Sequence, residues 1–144
     1  MKVTHTFKIP YEQALYGQLR SKQVECGKVW TDIIRYANQY YRTCKKWMST
    51  SDLESMMKNT YDLPSQTVQA LIAKYDANRK TTLELRKKGN TKAKYPWRFK
   101  YFFSIPYKQA AFEVHKDRII LKHSNFSAPL SLVTMMGKKK KRLE

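Results

Sequence analysis

KAKYPWRFKYFF, residues Lys92–Phe103, is where the chain changes its periodicity. Upstream of it, apolar residues recur at helical spacing. From Arg98 onward they alternate, with Phe99, Tyr101 and Phe103 on one side of an extended chain and Arg98, Lys100, Phe102 and Ser104 on the other. The stretch is too charged for a core strand and too aromatic for a plain solvated surface. Its place between two kinds of pattern predicts a helical part before it and a β part after it.

The helical part is the clearer of the two. Cys26, Trp30, Ile33, Ala37, Tyr40, Cys44 and Trp47 are spaced alternately four and three apart, which predicts a long helix packed against others. Ahead of it, Tyr11–Leu19 is expected to open a helix with Ala14, Leu15 and Leu19 on one face. Behind it, Ser51-Asp52-Leu53-Glu54 has the form of a capping box and starts a short helix running out near Asn59. Pro64 suits the first turn of the next helix, which carries Val68, Leu71, Ile72 and Tyr75 inward and continues to about Lys88, where Gly89-Asn90 ends it.

The β part is read from alternation and turns. Ala111–His115 and Arg118–Lys122 flank a hairpin turn at residues 115–118, and Ser124–Val133 holds one more strand. At the other end of the chain, Lys2–Ile9 alternates as a half-buried strand closed by Pro10. A lone N-terminal strand needs a partner, so the helices read as an insertion into a β unit. The predicted fold class is α+β with two lobes. Residues 1–10 and 95–134 form the β lobe, 11–94 the helical insertion, and 135–144 a basic tail expected to be disordered.

Charge sets the class of function. With 29 Lys and Arg against 11 Asp and Glu the formal net charge is +18, a self-repulsion usually offset by a polyanionic partner. No apolar run is long enough to span a bilayer and the start of the chain has no signal-peptide pattern, so no membrane association and a cytoplasmic, nucleoid-associated protein are expected. Cys26 and Cys44 lie at no metal-ligand spacing to His5, His115 or His123, and both are expected as buried free thiols, with no metal and no cofactor. Acidic residues are scattered singly, no Ser/His/Asp or Cys/His arrangement is present, and four glycines form no phosphate-cradling loop. No enzymatic chemistry is expected of this stretch of chain.

The charge is also concentrated. Between Lys74 and Lys100 ten basic residues stand against Asp76 and Glu84 alone. On a helix followed by a loop and a strand this predicts one positive edge. Arg86, Lys87, Lys88, Lys92, Lys94, Arg98 and Lys100 would grip a nucleic-acid backbone there, and Tyr95 and Trp97 would offer flat faces to bases. Phe99, Tyr101 and Phe103 are expected inside the β lobe as ordinary core.

The order of these features resembles the N-terminal part of the TnpB (OrfB) proteins, transposon-encoded RNA-guided DNA nucleases related to type V CRISPR effectors. The likeness runs over about residues 2–133: KVTHTFKIP with YEQALYGQL, a long helix ending in aromatics, LPSQTVQALIAKYDANRKTTLELRKKG, YPWRFKYFFSIPY, and the hairpin EVHKDRIILK. Tyr95-Pro96-Trp97-Arg98-Phe99-Lys100 is similar to the family's P-R-F-K signature, with Trp97 interposed. The resemblance implies that the β lobe is an OB-like wedge barrel and the helical insertion a recognition lobe. It implies guide RNA and double-stranded DNA as partners, with the RNA held by residues 86–100 and its sequence read by base pairing. It places Ser65, Gln66 and Gln69 against the duplex beside the target, joined by Tyr107, Lys108 and Gln109. It also implies that the catalytic acids belong to an RNase H-like domain not contained in these residues. The alternative is a stand-alone DNA- or RNA-binding regulator, such as a repressor, built on the same two lobes.

Overall fold

The computed structural model describes residues 12–108, 112–115, 118–121 and 130–133. The two helices expected over the first part of the chain are one: α1, Gln13–Cys44, runs 32 residues, close to 48 Å at 1.5 Å per residue. No proline lies between Pro10 and Pro64 to interrupt it. It ends where Lys45 turns left-handed (φ 57°) and its N–H donates to the Tyr41 carbonyl at 2.8 Å. The four-three seam is buried at Cys26, Trp30, Ile33 and Ala37, and beyond them Tyr40 and Trp47 are part-buried against the same core. Cys44 is exposed rather than buried, and Trp47 lies past the helix end, stacked on Tyr41 at 4.7 Å.

α2 is Thr50–Met57, and its cap is Ser49, whose hydroxyl accepts from the Asp52 N–H at 3.2 Å. The box expected at Ser51 and Glu54 therefore sits two residues too late. The Ser49-Asp52 pair satisfies the same exposed N–H groups and adds residues to the first turn. α3, Ser65–Lys87, begins as expected behind Pro64 (φ −56°) and ends before Gly89 (φ 98°), a backbone conformation that side chains resist.

The core lies among these three helices. Val29, Trp30, Ile33, Ile34 and Ala37 of α1 meet Leu53 and Met57 of α2 and Val68, Leu71, Ile72 and Tyr75 of α3, so the four α3 residues read as inward-facing are so. The link from α2 to α3 is clamped onto α1 at two polar points. Lys22 is buried, and its Nζ donates to the Asp62 carboxylate at 2.5 Å and to the Asp62 carbonyl at 3.0 Å. Tyr61 donates its hydroxyl to the Asp32 carboxylate at 2.5 Å, and burial with that neighbouring negative charge raises the phenol well above its ordinary range.

The β part is one antiparallel sheet in the order β1-β2-β3: Phe112–Val114, Arg118–Leu121 and Leu130–Val133. Val114 stands opposite Ile119 across the expected hairpin, and the His115 N–H closes the turn on the Arg118 carbonyl at 2.8 Å. Arg118 faces Val133 at the start of the second pairing. The third strand falls within the stretch read for it. Leu121, Phe112 and Ile119 pack with Leu15 and Leu19 of the first turns of α1 and with Tyr107. The chain is thus α+β, with the sheet set at one end of the longest helix. The strand read at Lys2–Ile9 and the basic tail at 135–144 lie outside the described residues.

One β expectation fails within the described part. Phe99, Tyr101 and Phe103 belong to no ladder, because residues 97–108 have no regular secondary structure, bend at Tyr101 and pair with no described strand. Phe99, Tyr101 and Phe102 are exposed, and Phe103 enters the helical core, stacking on Trp30 at 4.8 Å. The backbone of this segment is matched to a helix instead, as described next.

Candidate nucleic-acid interface

Gln23, Gly27, Thr31 and Arg35 are four apart on α1 and so form one row along its surface. Residues 99–103 lie over that row as a strap. The Thr31 hydroxyl accepts from the Lys100 N–H and donates to the Lys100 carbonyl, both at 3.1 Å. One turn back, Gly27 lets the strap's backbone touch the helix: a Cβ there would stand 2.4 Å from the Tyr101 carbonyl oxygen. A turn further back the Phe103 N–H donates to the Gln23 carbonyl at 3.0 Å. The strap runs antiparallel to α1, with a backbone tie at nearly every turn.

The start of the strap is fixed to α3 in the same way. The Thr82 hydroxyl lies 3.1 Å from the Lys94 carbonyl, and the Arg86 guanidinium donates to the Ala93 carbonyl at 2.8 Å. Pro96 removes one soft torsion between these ties and Thr31.

With its backbone held, the strap presents its rings to cations. Arg86 lies over Tyr95 at 5.1 Å, Lys94 and Arg98 over Trp97 at 5.9 and 5.3 Å, Arg35 over Phe99 at 5.0 Å, Arg20 over Phe102 at 4.3 Å and Lys74 over Phe103 at 4.9 Å. Arg79 covers Trp47 in addition, at 5.5 Å. A chain of this length would carry about two such contacts at the usual frequency. The alternation of aromatic and basic residues in KAKYPWRFKYFF is therefore a surface in which guanidinium and ammonium groups flank nearly every ring.

Between α3 and the strap lies an open groove of about 450 Å³, lined among others by Trp30, Asn78, Thr81, Trp97, Arg98 and Lys100. Trp97 is 58% exposed, unusual for so large an apolar ring, whereas Trp30 at 5% forms the floor.

The residues read as RNA-binding are thus brought together in part. Tyr95, Trp97, Lys94, Arg98 and Lys100 border the groove, and Arg86 sits behind it on Tyr95. Lys87, Lys88 and Lys92 are exposed at the end of α3 and in the turn after it, with Lys87 3.8 Å from Glu84. The residues assigned to DNA lie elsewhere. Ser65 is exposed at the start of α3; Gln66 and Gln69 are half-buried, and the Gln66 Oε1 is buried with no hydrogen-bond partner among the described residues, so its amide is not offered whole to a base edge. Tyr107 has its hydroxyl buried, with no hydrogen-bond partner among the described residues, between α1 and the sheet, and that burial pushes the phenol up to about 12. Lys108 is exposed, and Gln109 lies outside the described residues.

Arg20, Arg35, Asn78 and Thr81 were not singled out from the sequence, and Lys74 was counted only into the positive edge. The row Gln23-Gly27-Thr31-Arg35 was the available signal, a polar and glycine stripe with no reason to sit on a core helix unless something lies on it. Cys26, by contrast, is buried where its thiol is pushed up to about 12, first by desolvation, and is chemically inert.

Two further basic residues counted into the positive edge share one acidic partner. Asp76 pairs with Arg79 at 3.0 Å and Lys80 at 2.9 Å. Burial alone would raise the Asp76 carboxyl, but these two hydrogen-bonded cations outweigh it and hold it below the ordinary carboxylate range. A depressed carboxyl contributes stability that is full above its unfolded-state pKa and is lost as pH falls through the folded one. The advantage of the wild type over Asp76→Asn should therefore be greatest above pH ~5 and shrink steadily in more acid solution, as read from thermal midpoints. A difference independent of pH would show that the pair is not formed.

Among the described residues no group of three or more His, Cys, Asp or Glu side chains is placed to hold a metal ion, and no helix is long and apolar enough to cross a membrane. Compared with known proteins, the chain matches no family model, no curated protein and no solved structure.

Proposed function

We propose that this chain is a nucleic-acid-binding module, the N-terminal part of an RNA-guided DNA nuclease of the TnpB kind, which binds guide RNA and the duplex beside the target and performs no catalysis with its own residues. The observation that carries the reading is the strap: a preorganised segment whose exposed rings alternate with cations, next to a turn rich in lysine. Phosphates are matched by Lys87, Lys88, Lys92, Arg98 and Lys100, and unpaired bases by Trp97 and Tyr95. For the DNA contact, Ser65, Gln69 and Lys108 are the residues with accessible polar groups, and an amide such as that of Gln69 matches an adenine edge.

The test is a binding titration at two salt concentrations, using a structured RNA transcribed from beside the gene, an unrelated RNA of equal length and a random DNA duplex. Preference for the neighbouring RNA is the expected result. The variant with Lys87, Lys88, Lys92 and Arg98 all changed to Ala should bind RNA more weakly, and its log–log salt slope should flatten by about 3, at ~0.7 per lost backbone contact. Unchanged binding by a folded variant would remove the interface from this face. Equal binding of all three ligands would leave the module as a general polyanion binder, closer to the stand-alone regulator.

A further inference from the structure

We infer that the groove between α3 and the strap is a seat for a single unpaired nucleotide, its base lying on Trp97 and its phosphates on Arg98 and Lys100. The inference rests on the nucleic-acid reading above and deepens it, from a charged face to a site that selects unstacked bases over paired ones.

Four observations lead there. The first is size. About 450 Å³ falls in the range of small-ligand clefts and is far too little for a helix of nucleic acid. The second is the exposed ring. Trp97 is more than half exposed while flanked by two cations at 5.3 and 5.9 Å, so an apolar face stands beside groups that attract phosphate. A base inside a duplex has both faces covered by its neighbours and cannot use that ring, whereas an unpaired base can. The third is the polar wall. Asn78 and Thr81 line the groove from α3, and the Asn78 side-chain amide makes no hydrogen bond among the described residues. It has a donor and an acceptor side by side, matching the adjacent donor and acceptor that the pairing edge of any unpaired base exposes. Thr81 donates its hydroxyl proton to the Ala77 carbonyl at 2.9 Å, leaving its oxygen as an acceptor. The fourth is rigidity. The ties from Thr82 to Lys94, Arg86 to Ala93 and Thr31 to Lys100 hold both ends of the lining segment before any ligand arrives, which lowers the ordering cost of binding.

The same geometry assigns different roles to neighbouring residues. Lys87, Lys88 and Lys92 contribute charge to any polyanion, paired or not. Trp97 and Asn78 contribute only to a nucleotide with a free face and a free edge.

The test compares four ligands with the full chain at one salt concentration: an unstructured 12-nucleotide RNA, the DNA strand of the same sequence, and the blunt duplex of each. The single strands should bind at least about tenfold more tightly than their duplexes, with quenching of tryptophan fluorescence, the two sugars separating RNA from DNA as the natural source. Trp97→Ala should lower single-strand affinity by about tenfold and leave duplex affinity unchanged, Trp97→Phe should restore most of it, and Asn78→Ala should weaken single strands of every sequence without altering the duplexes. Trp97 and Asn78 are both exposed, so these variants are expected to fold, and their thermal midpoints verify it. Equal affinity for strands and duplexes, with Trp97→Ala changing neither, would overturn the nucleotide seat and leave the charged interface standing. No binding to any of the four would overturn the interface and the seat together.

Discussion

Gly27→Ala should destabilise this protein, against the ordinary rule for a glycine inside a helix. Alanine in a helix interior is favoured over glycine by about 1 kcal/mol, from lower backbone entropy in the unfolded chain. At position 27 the new methyl group would meet the Tyr101 carbonyl oxygen at 2.4 Å, its carbon at 2.5 Å and the Phe102 nitrogen at 2.7 Å. All three are backbone atoms and cannot swing aside as a side chain can. Relief requires lifting the strap, which stretches the Thr31–Lys100 and Gln23–Phe103 hydrogen bonds on either side. Overpacking of this kind costs about 1–3 kcal/mol, enough to cancel or exceed the helical gain. Gly17 is the internal control. It sits in the same helix with no described atom within 4 Å of an added Cβ, so Gly17→Ala should stabilise by about 0.5–1 kcal/mol. Denaturant midpoints of the two variants should move in opposite directions. If they move together, the strap is not seated on α1.

Trp30→Ala is expected to have the largest effect on stability of any single change described here, a loss of about 3–5 kcal/mol. The indole is 5% exposed, stacks on Phe103 at 4.8 Å and meets the edge of Tyr75 at 6.1 Å. It thus joins α1, α3 and the strap at one point. Removing it opens a cavity in the helical core and also withdraws the floor of the groove and the ring on which the strap's buried end rests. Trp30→Phe keeps an aromatic plane in that place and should recover more than half of the loss. The measurement is equilibrium unfolding of both variants beside the wild type. A Trp30→Ala loss below about 1 kcal/mol would mean that the strap and the helices do not meet on this ring.

Much of the helical part was legible in the sequence because its signals are local. Pro64 and Gly89 bound α3 through backbone constraints that nothing distant can change, and Val68, Leu71, Ile72 and Tyr75 declare its buried face by spacing alone. The hairpin around residues 115–118 was legible for the same reason. The length of α1 was not, since the apolar face of Ala14, Leu15 and Leu19 and the seam from Cys26 read as two helices, whereas one helix serves two partners, the sheet at Leu15 and Leu19 and the helical core from Cys26 onward. The strap was misread for a physical reason. Alternation reports an extended chain with two unlike sides, and a sheet neighbour is only the commonest cause. Here the neighbour is a helix, and the two sides are distinguished by which cations reach them. The partners that complete the site, Arg20 and Arg35 of α1 and Lys74 and Asn78 of α3, are remote from the strap in sequence and carry no spacing of their own that points to it.

The strap is attached through its main chain: to a helix carbonyl, to a threonine hydroxyl and to the bare face of a glycine. None of those attachments depends on which side chains stand at positions 98 to 102. Mutational drift or deliberate redesign can therefore rewrite the outward residues of this segment, exchanging one ring or charge for another, while the geometry of its display stays constant. On the proposed reading, what the molecule recognises and what keeps it folded are written at different positions, so a library confined to Arg98, Phe99, Tyr101 and Phe102 should yield mostly well-folded proteins with altered ligand preferences.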